Sequence, residues 1–483
     1  MEKLDLSRRA FLAATTTTAV LAAAGCATQQ AKTGGVTPGL PMNKAKVVPR
    51  RISPNQKLNI AAIGAGGKGW ADINGSVMQG ETAVENLVAM ADPDWNNCQE
   101  AFATFPNAKQ YRDYRKMLEE VKEIDAVTIS TPDHTHAPAA YMAMKLGKHV
   151  YVQKPLTHTV AEARLLTQVA NEMGVATQMG NQGRSGDGVR DLCEMIWSGA
   201  IGNVKEVHCW TNRPIWPQGI ATPLPEEPVP PTLDWDLWIG SAPMRPYNKG
   251  YAPFNWRGWW DYGCGALGDM ACHIMDPAFW SMRLGDVSNF TVELVQQEGN
   301  NKETFPTKSI VKYSFPARGS MPPVEVYWYD GDLRPPRPAG IPEDQTLGEG
   351  NNGSLFVGES GFITTGTYGD DSRLLPDEKM KDYVRPTQYI PRIPGEQHYR
   401  NWVQACKGGE PACSNFNVSG PFTEMVVFGN VAVALGKKME WDSANFTIAN
   451  DPSANYLLSK EYRKGWELPI NEIGFKRPPA PKA

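Results

Sequence analysis

Apolar runs of strand length alternate with helix-like patterns from about residue 57 onwards. The predicted strands cover 58–63, 84–91, 124–130 and 150–152, and the predicted helices cover 70–78, 137–146 and 159–173, the last with Thr157 or Thr159 as N-cap. This alternation continues to about Met179 and is typical of a parallel sheet with helices on both faces. In such a sheet, ligands bind at the carboxyl ends of the strands.

The pattern changes at about Lys205, where strand-like segments follow one another without long helices between them. The predicted strands cover 205–212, 289–296, 309–315, 324–329 and 362–365, and a long loop rich in Gly and Pro is predicted at 331–353. Strands in succession favour a largely antiparallel open sheet. We therefore expect a second domain of α+β type.

A glycine-rich turn directly follows the first predicted strand. Residues 64–69 read Gly-Ala-Gly-Gly-Lys-Gly, so that Gly64, Gly66 and Gly69 form a Gly-x-Gly-x-x-Gly pattern. The first glycine permits a tight turn, and the second lets a pyrophosphate approach the backbone. The third lets the following helix pack against the strand with its N–H groups facing the anion. The strand before the turn and the helix after it make this a dinucleotide-binding signal rather than a chance cluster of glycines.

Asp92 indicates which dinucleotide binds. It ends the second strand, 23 residues beyond Gly69, where a carboxylate can accept hydrogen bonds from the ribose hydroxyls. A carboxylate repels a 2′-phosphate, and no Lys or Arg follows it in residues 91–95. NAD is the predicted cofactor, and NADP is the alternative if an arginine from elsewhere enters the site.

The N-terminus carries an export pattern. Residues 7–12 read Ser-Arg-Arg-Ala-Phe-Leu, a twin-arginine signal, and the apolar stretch that follows to Ala24 is too short to span a bilayer permanently. It ends in Ala-Ala-Gly-Cys at 23–26, so we expect Cys26 to become a lipidated first residue that tethers the protein to the membrane. Cleavage by an ordinary signal peptidase near the same alanines is the alternative. The predicted location is the periplasm.

Export by this route bears on the cofactor. The twin-arginine pathway carries folded proteins, whereas free NAD is a cytoplasmic metabolite. We therefore expect the protein to bind NAD before export and to keep it afterwards. Each hydride taken from a substrate must then be returned locally, to the same molecule or to a second one.

Composition excludes some functions. The chain has 48 Lys and Arg against 52 Asp and Glu, a net charge of −4, and no basic run, which argues against nucleic-acid binding. The cysteines besides Cys26 show no Cys-x-x-Cys spacing, and folding in the cytoplasm favours free buried thiols. Cys264 and Cys272 near His273 form an incomplete ligand set, so no metal site is expected.

Candidate catalytic residues come from two parts of the chain. If residues 265–276 are helical, Asp269 and His273 are at i and i+4 and share one face. Lys154 follows the strand at 150–152 and should lie at the ligand edge of the sheet. His can accept a hydroxyl proton, Lys can stabilise an alkoxide, and Asp can orient the imidazole. A surface ion pair is the alternative interpretation of Asp269 and His273.

Tryptophan is dense between residues 210 and 260, and flat aromatic faces suit the C–H faces of sugars. Packing of an irregular loop accounts for most of these side chains, and we expect one or two to line a site. The tryptophans concerned are Trp210, Trp216, Trp235, Trp238, Trp256, Trp259 and Trp260.

Together these motifs resemble the glucose–fructose oxidoreductase/inositol dehydrogenase (Gfo/Idh/MocA) family from about Lys57 to about Trp441. The matching stretches are 60–69, 89–93, Thr131-Pro132-Asp133 with His136, 147–156, 199–204, and Asp269 with His273. The resemblance implies an N-terminal Rossmann domain and a C-terminal α/β domain whose sheet often forms an oligomer interface, hence a homo-oligomer. By this resemblance Lys154 belongs to the family's Glu-Lys-Pro motif, and Asp269 and His273 complete a triad with it. Gln153 stands where the family usually has Glu.

The resulting domain prediction follows the chain. We expect a signal at 1–26, a flexible tether at 27–56, an NAD-binding Rossmann domain at 57–180, an α+β domain at 181–450 and a C-terminal tail at 451–483. Cofactor contacts are expected from Gly64, Gly66, Gly69, Asp92, Thr131, Pro132, His136 and Lys154.

Three functions remain open at this stage. The first is an NAD-dependent oxidoreductase that acts on a hydroxyl of a sugar, glycoside or polyol. The second is a redox-neutral glycosidase, which oxidises C3 transiently, eliminates the aglycone and takes the hydride back. The third is a lipid-anchored sugar-binding protein with an inert nucleotide fold. The presence of Lys154, Asp269 and His273 favours the first and argues against the third.

Overall fold

A computed structural model describes residues 56–481, and these residues belong to one compact unit. The predicted signal, nearly all of the predicted tether and Cys26 lie outside the described residues. Within them, the chain forms a six-stranded parallel sheet followed by a nine-stranded mixed sheet. The prediction of a Rossmann domain followed by a largely antiparallel α/β domain is confirmed.

The first sheet has the strand order β5-β4-β1-β6-β7-β8, all parallel. Its strands are β1 Asn59–Ile63, β4 Asn86–Ala91, β5 Lys109–Tyr111, β6 Ala126–Ile129, β7 His149–Val152 and β8 Thr177–Met179, and a short hairpin pairs β2 Met78–Gln79 with β3 Thr82–Ala83. Its helices are α1 Lys68–Val77, α2 Gln99–Thr104, α3 Tyr114–Glu120, α4 Asp133–Lys145 and α5 Val160–Met173. The four central strands, β1, β4, β6 and β7, are mainly apolar because helices cover both faces of the sheet, whereas the edge strand β5 is polar.

Local signals explain where two of these helices begin. Thr159 caps α5 in a capping box with Glu162, as one of the two alternatives predicted. Helix α4 begins at Asp133, four residues before the predicted start at 137. Pro132 ends the extended segment, and the carboxylate of Asp133 lies in the first turn, where it is stabilised by the helix dipole.

The second sheet has the order β15-β14-β13-β9-β12-β11-β10-β16-β17, in which β9 and β12 are parallel and the other neighbours are antiparallel. Its strands are β9 Val204–Trp210, β10 Asn289–Glu298, β11 Lys308–Phe315, β12 Val324–Tyr329, β13 Gly353–Gly358, β14 Phe362–Thr365, β15 Arg373–Leu375, β16 Met439–Asp442 and β17 Thr447–Ile448. Residues 331–352, all of them described, contain no helix or strand, as predicted.

The helices of the second half are α6 Asp187–Trp197, α7 Trp235–Ile239, α8 Gly265–Ile274, α9 Asp276–Ser281, α10 His398–Cys406 and α11 Phe416–Leu435. Sequence reasoning missed α6, α7, α9, α10 and α11 and the strands β13, β15, β16 and β17. In the first half it missed α2 and α3 and the short strands β2, β3, β5 and β8. Among described residues, α11 is the helix long and apolar enough to cross a bilayer, but it is a core helix, mostly buried against α5 and α8.

The tryptophan-rich segment folds mainly as a small hydrophobic core of its own. Trp235 and Trp238 stack at 4.7 Å, and Tyr251 and Tyr262 pack around them. The cysteines from Cys98 onwards are unpaired, and all but Cys413 are buried, which confirms the expectation of free buried thiols for the described part of the chain.

Candidate active site

The glycine-rich turn has the backbone geometry that the sequence predicts. Gly64 adopts φ +83°, and a Cβ added there would lie 2.6 Å from the carbonyl oxygen of Ser130. A Cβ on Gly69 would lie 2.2 Å from the carbonyl oxygen of Gly64, so this glycine lets α1 approach β1. Larger residues at either position would displace the turn. Gly66 and Gly67 line a cavity at the start of α1, which suits a pyrophosphate.

This cavity has a volume of about 520 Å³. It lies between the domain that contains the six-stranded sheet and the domain that contains the nine-stranded sheet. Of the residues predicted from the sequence, those that line it are Gly64, Gly66, Asp92, Thr131, Pro132, Lys154, Asp269 and His273. The cofactor candidates and the catalytic candidates therefore share one cavity. Trp238 and Trp256 also line it, in agreement with the expectation that one or two tryptophans of the dense segment would do so.

Asp92 is buried beside the turn. Its carboxylate accepts hydrogen bonds from the backbone N–H groups of Ala65 and Asp94, both at 2.9 Å. Burial raises the pKa of this carboxyl group, while the two N–H donors oppose the shift. Asp92 therefore holds the glycine turn as well as lining the cavity.

Replacing Asp92 with alanine is expected to weaken NAD binding about 10- to 100-fold, the effect of losing charged hydrogen bonds worth roughly 1.5–3 kcal/mol. The measurement is a fluorescence titration with NADH, with thermal unfolding followed in parallel. Glu100→Ala is the control, since Glu100 is an exposed acid on the following helix. Unchanged affinity in Asp92→Ala would show that the ribose contact is misassigned.

Lys154 and Asp269 form a partly buried ion pair in the cavity. Lys154 Nζ donates to Asp269 Oδ1 at 2.8 Å and to the Asp269 carbonyl oxygen at 2.9 Å. Arg257 Nε donates to the same Oδ1 at 3.2 Å. Burial would raise the pKa of Asp269, but the charges of Lys154 and Arg257 outweigh it and lower this pKa to about 2. Asp269 is therefore an anion that fixes the Lys154 ammonium group.

His273 lies one helical turn from Asp269 on α8, as predicted. Neither ring nitrogen of His273 hydrogen-bonds to another described residue, and Nδ1 is buried without a partner. Burial, reinforced by the charge of Lys154, lowers the pKa of His273 to about 3, so the ring is neutral at physiological pH. The ring of Tyr368 packs edge-on against it at 5.0 Å.

The expected role of Asp269 therefore needs correction. We expected it to orient or charge the imidazole, but its carboxylate is held by Lys154 and Arg257 instead. The ammonium and guanidinium groups are the stronger partners for a buried carboxylate, because a neutral imidazole offers it no charge.

His136 is a second correction. Its Nδ1 lies 2.8 Å from the carbonyl oxygen of Pro155, its Nε2 lies 2.9 Å from that of Thr131, and it does not line the cavity. Burial lowers its pKa to about 4. The neutral ring carries one N–H, so His136 donates to one of these two carbonyl oxygens and packs against the other. It therefore acts as a positioning residue for the Thr131 and Pro155 turns. Gly69 is likewise a packing residue outside the cavity lining.

Gln153 is paired with a carboxylate on another element. Its Nε2 donates to both oxygens of Asp72 on α1, at 3.1 and 2.9 Å, and Asp72 is fully buried. Asp72 also accepts from Ser130 Oγ and from the side chains of Lys68 and Tyr399. A negative charge thus lies next to position 153 although residue 153 itself is neutral.

Replacing Gln153 with glutamate places two buried carboxylates in contact and is expected to destabilise the fold by about 2–4 kcal/mol at neutral pH. One carboxyl of the pair must then bind a proton more tightly in the folded than in the unfolded state. The free energy of unfolding therefore falls as pH rises from the carboxyl pKa of the unfolded state through the raised pKa of the folded state. The deficit against wild type shrinks on acidification to pH ~5.

Thermal unfolding of Gln153→Glu at pH ~5 and ~7 checks this, and the control is Gln153→Glu with Asp72→Asn. The double variant restores one amide and one carboxylate and should recover most of the stability. A single variant as stable as wild type at both pH values would contradict the pairing.

Several cavity residues were not predicted from the sequence. Arg257 packs its guanidinium 4.3 Å from the ring of Trp256, and Asp133 is buried beside Arg257 and Asp269, so that burial raises its pKa to about 7. Trp466 comes from the C-terminal tail. Arg257 lies within the aromatic-rich segment 216–260, whose unusual composition could have drawn attention to it. Nothing in the local sequence singles out Trp466.

Family models match both halves of the chain. An oxidoreductase family model with an NAD-binding Rossmann fold matches residues 58–181, and the C-terminal α/β domain model of the same family matches residues 189–317. The chain belongs to the Gfo/Idh/MocA oxidoreductase family. Residues 58–181 are therefore the NAD-binding domain of a member of this family, and the glycine turn and Asp92 lie within it.

Curated relatives in the Gfo/Idh/MocA family include dehydrogenases. Levoglucosan dehydrogenase from Pseudarthrobacter phenanthrenivorans is 26% identical over 195 residues, which is 40% of this chain and 42% of the relative. The NAD(+)-dependent scyllo-inositol 2-dehydrogenase from Bacillus subtilis is 32% identical over 116 residues, 24% of this chain and 34% of the relative. Each match spans less than half of the relative's length.

Two solved structures share the fold. The WlbA dehydrogenase from Bordetella pertussis, crystallised with NADH and UDP-GlcNAcA, aligns with a TM-score of 0.55 at 16% identity, over 79% of this chain and 98% of that one. Aldose-aldose oxidoreductase from Caulobacter crescentus, complexed with glycerol, aligns with a TM-score of 0.52 at 15% identity, over 79% and 99% of the two chains.

Among described residues, no group of three or more His, Cys, Asp or Glu side chains is placed to hold a metal ion.

Proposed function

We propose that this protein is an NAD-dependent oxidoreductase that acts on a secondary hydroxyl of a sugar, glycoside or polyol and keeps its cofactor bound. The observation that carries the proposal is the single cavity that joins the glycine turn and Asp92 to Lys154, Asp269 and His273. The cofactor residues alone would fit an inert nucleotide-binding protein. A partly buried Lys–Asp pair in the same cavity as a neutral histidine adds the groups that alcohol oxidation needs.

Oxidation of an alcohol removes a proton from oxygen and a hydride from carbon. NAD, when bound, supplies the hydride acceptor. His273 is neutral and unpartnered, so a ring nitrogen is available to accept the hydroxyl proton. Lys154 can donate to the oxygen while negative charge develops on it. Asp269 holds the ammonium group in place, and Arg257 in turn holds Asp269.

The lining on the substrate side favours a carbohydrate. The rings of Phe254, Trp256 and Tyr368 line the cavity together with the charged groups of Lys154 and Arg257. Aromatic faces bind the C–H faces of a sugar ring, and polar groups bind its hydroxyls. The curated relatives named above act, by their names, on levoglucosan and scyllo-inositol, which are compounds of this class.

A redox-neutral glycosidase is the second candidate. The twin-arginine pattern at residues 7–12 favours it, because a cofactor that is not exchanged after export needs its hydride returned. Return to the same sugar after elimination meets this need without a second substrate. Reduction of a second sugar meets it equally well, and the match of Lys154, Asp269 and His273 to the dehydrogenase pattern ranks the oxidoreductase first.

The twin-arginine pattern at residues 7–12 also supports a proposal for where the protein is located. We place the mature protein in the periplasm, exported by the twin-arginine route and tethered through lipid on Cys26. We also propose a homo-oligomer, in which the nine-stranded sheet forms the interface, as the family resemblance implies.

The test is to purify the exported protein, release small molecules with acid and identify them by mass spectrometry. We expect nicotinamide dinucleotide in near-stoichiometric amount. Incubation with aryl glycosides then separates the candidates, since the oxidoreductase leaves a keto-glycoside and the glycosidase frees the aryl alcohol without net NADH. A protein with no nicotinamide and no effect on sugars, even with added NAD, would refute both.

A further inference from the structure

Two segments distant in the sequence form the wall of the cavity next to Asp92. They are residues 232–241 and residues 460–466, which we call the cover. Leu237, Trp238 and Trp466 of the cover line the cavity together with Tyr114 of α3. Because the turn that carries Asp92 should hold the adenosine ribose, this wall lies beside the adenosine end of the cofactor.

The first segment of the cover is joined to the Asp92 turn through its backbone. Leu233 forms an antiparallel bridge with Asp94, the N–H of Trp95 donates to Thr232, and the N–H of Asp234 donates to Pro93.

Arg112 adds a side-chain connection to this junction. Its Nη1 donates to the carbonyl oxygens of Pro93 at 3.0 Å and Thr232 at 2.7 Å, while its guanidinium stacks 4.6 Å from the ring of Trp95. Moving segment 232–241 away from the Asp92 turn therefore breaks several hydrogen bonds at once.

The second segment lies over the first. Arg463 Nε donates to the carbonyl oxygen of Gly240 at 2.8 Å, and its Nη2 donates to that of Asp236 at 2.8 Å. Lys460 Nζ donates to the carbonyl oxygen of His134, at the start of α4, and to Ser241 Oγ. The tail thereby connects the tryptophan-rich segment to the NAD-binding domain.

Trp466 is the aromatic residue of this tail that reaches the cavity. It is 7% exposed, the Arg115 guanidinium lies 4.0 Å from its ring, and the ring of Tyr114 lies 6.1 Å away. Trp238 enters the same cavity from the first segment. The adenosine end is thus bordered by indole rings from two segments that are distant in the sequence.

We infer that the cover retains NAD, with Trp238 and Trp466 as its cofactor-binding side chains, so that dissociation requires the cover to open. This inference rests on the proposed function and explains how a cofactor loaded before export stays bound afterwards. Retention then depends on residues outside the nucleotide-binding motif. Removing Trp466 should accelerate NAD release, because burial of an aromatic side chain against a ligand contributes mainly to a slow off-rate.

The experiment compares wild type with Trp466→Ala and with Phe475→Ala as the matched control. Phe475 is an aromatic residue of the same tail, buried against the main core and not among the residues that line the cavity. The readouts are NAD content after purification and the rate at which NADH-loaded protein loses its energy-transfer fluorescence when mixed with excess NAD. We expect release at least about tenfold faster in Trp466→Ala and unchanged in Phe475→Ala.

Arg463→Gln is a second variant that leaves the indole in place and removes the contacts with segment 232–241. We expect a smaller acceleration of release from it, and it serves if Trp466→Ala does not fold. Wild-type release rates in both folded variants would overturn the inference.

Wild type that oxidises sugars with added NAD but releases its cofactor within seconds would also overturn the inference. It would refute cofactor retention and leave the proposed oxidation of a carbohydrate hydroxyl intact. Wild type that holds NAD but converts no sugar would refute the proposed function instead.

Discussion

Replacing Lys154 with alanine is expected to lower the rate of sugar oxidation about 10³-fold. Lys154 Nζ is the donor that stabilises negative charge on the substrate oxygen, and loss of one such donor costs about 10²–10³ in rate. Loss of the ion pair also leaves Asp269 with Arg257 as its remaining cationic partner. That residual pairing keeps the cost in stability near the lower end of the ~3–5 kcal/mol typical of broken buried pairs.

Single-turnover reduction of bound NAD by substrate is the measurement that checks this effect, with NAD content determined in the same sample. The control is Lys145→Ala, an exposed lysine at the end of α4. We expect Lys154→Ala to contain NAD and to reduce it very slowly. A variant that turns over like wild type would remove Lys154 from the mechanism.

Replacing His273 with asparagine is expected to lower the same rate about 10²- to 10⁴-fold, the usual contribution of a general base. Asparagine keeps a polar side chain of similar size but cannot accept the proton. Because the ring makes no hydrogen bond to another described residue, the change should cost little stability. A large loss of stability with an unchanged rate would indicate a packing role instead.

The pH dependence separates His273 from its neighbours. Burial lowers the pKa of His273 to about 3, so this base stays neutral well below the ordinary histidine value of ~6.5. We expect the His273-dependent rate to stay level through pH ~6.5. The measurement uses an Asp133→Asn background, since burial raises the pKa of Asp133 to about 7 and its titration falls in the same range. A fall in rate centred near 6.5 would contradict the neutral-base role.

The NAD-binding domain could be predicted because its determinants are local. Its strands are short apolar runs, and the turn at 64–69 needs glycine for steric reasons that a sequence shows directly. The start of α4 was placed four residues late because Thr131–His136 contains no apolar periodicity. That segment nevertheless lies at the strand edge, where it was expected.

Helix α11 could not be predicted because it is buried on nearly all sides. Its residues are apolar around the whole circumference, so no amphipathic period of 3.6 residues appears in the sequence. The short strands β15, β16 and β17 at the two ends of the second sheet were missed for a related reason, since two to four residues cannot show an alternating pattern.

The catalytic groups were predictable as residue types and positions, but their pairing was not. The spacing of Asp269 and His273 on one helix suggested that they pair with each other. The fold instead brings Lys154 and Arg257 to Asp269. The contact with Lys154 depends on how the two domains pack, and the contact with Arg257 depends on the path of the irregular segment before α8. The pairing of Asp72 with Gln153 and the position of Trp466 in the cavity wall could not be predicted either. Both depend on contacts between parts of the chain that are distant in the sequence.

The most direct test of the central claim is transfer of deuterium to the bound cofactor. Purified protein carrying its own NAD is incubated with glucose or myo-inositol deuterated at every carbon, and the cofactor is released and analysed by mass spectrometry. A shared cavity for NAD and a carbohydrate hydroxyl predicts deuterium on the nicotinamide in wild type and almost none in Lys154→Ala. Formation of a keto product without any reduced sugar, while the nicotinamide stays free of deuterium, would contradict the claim.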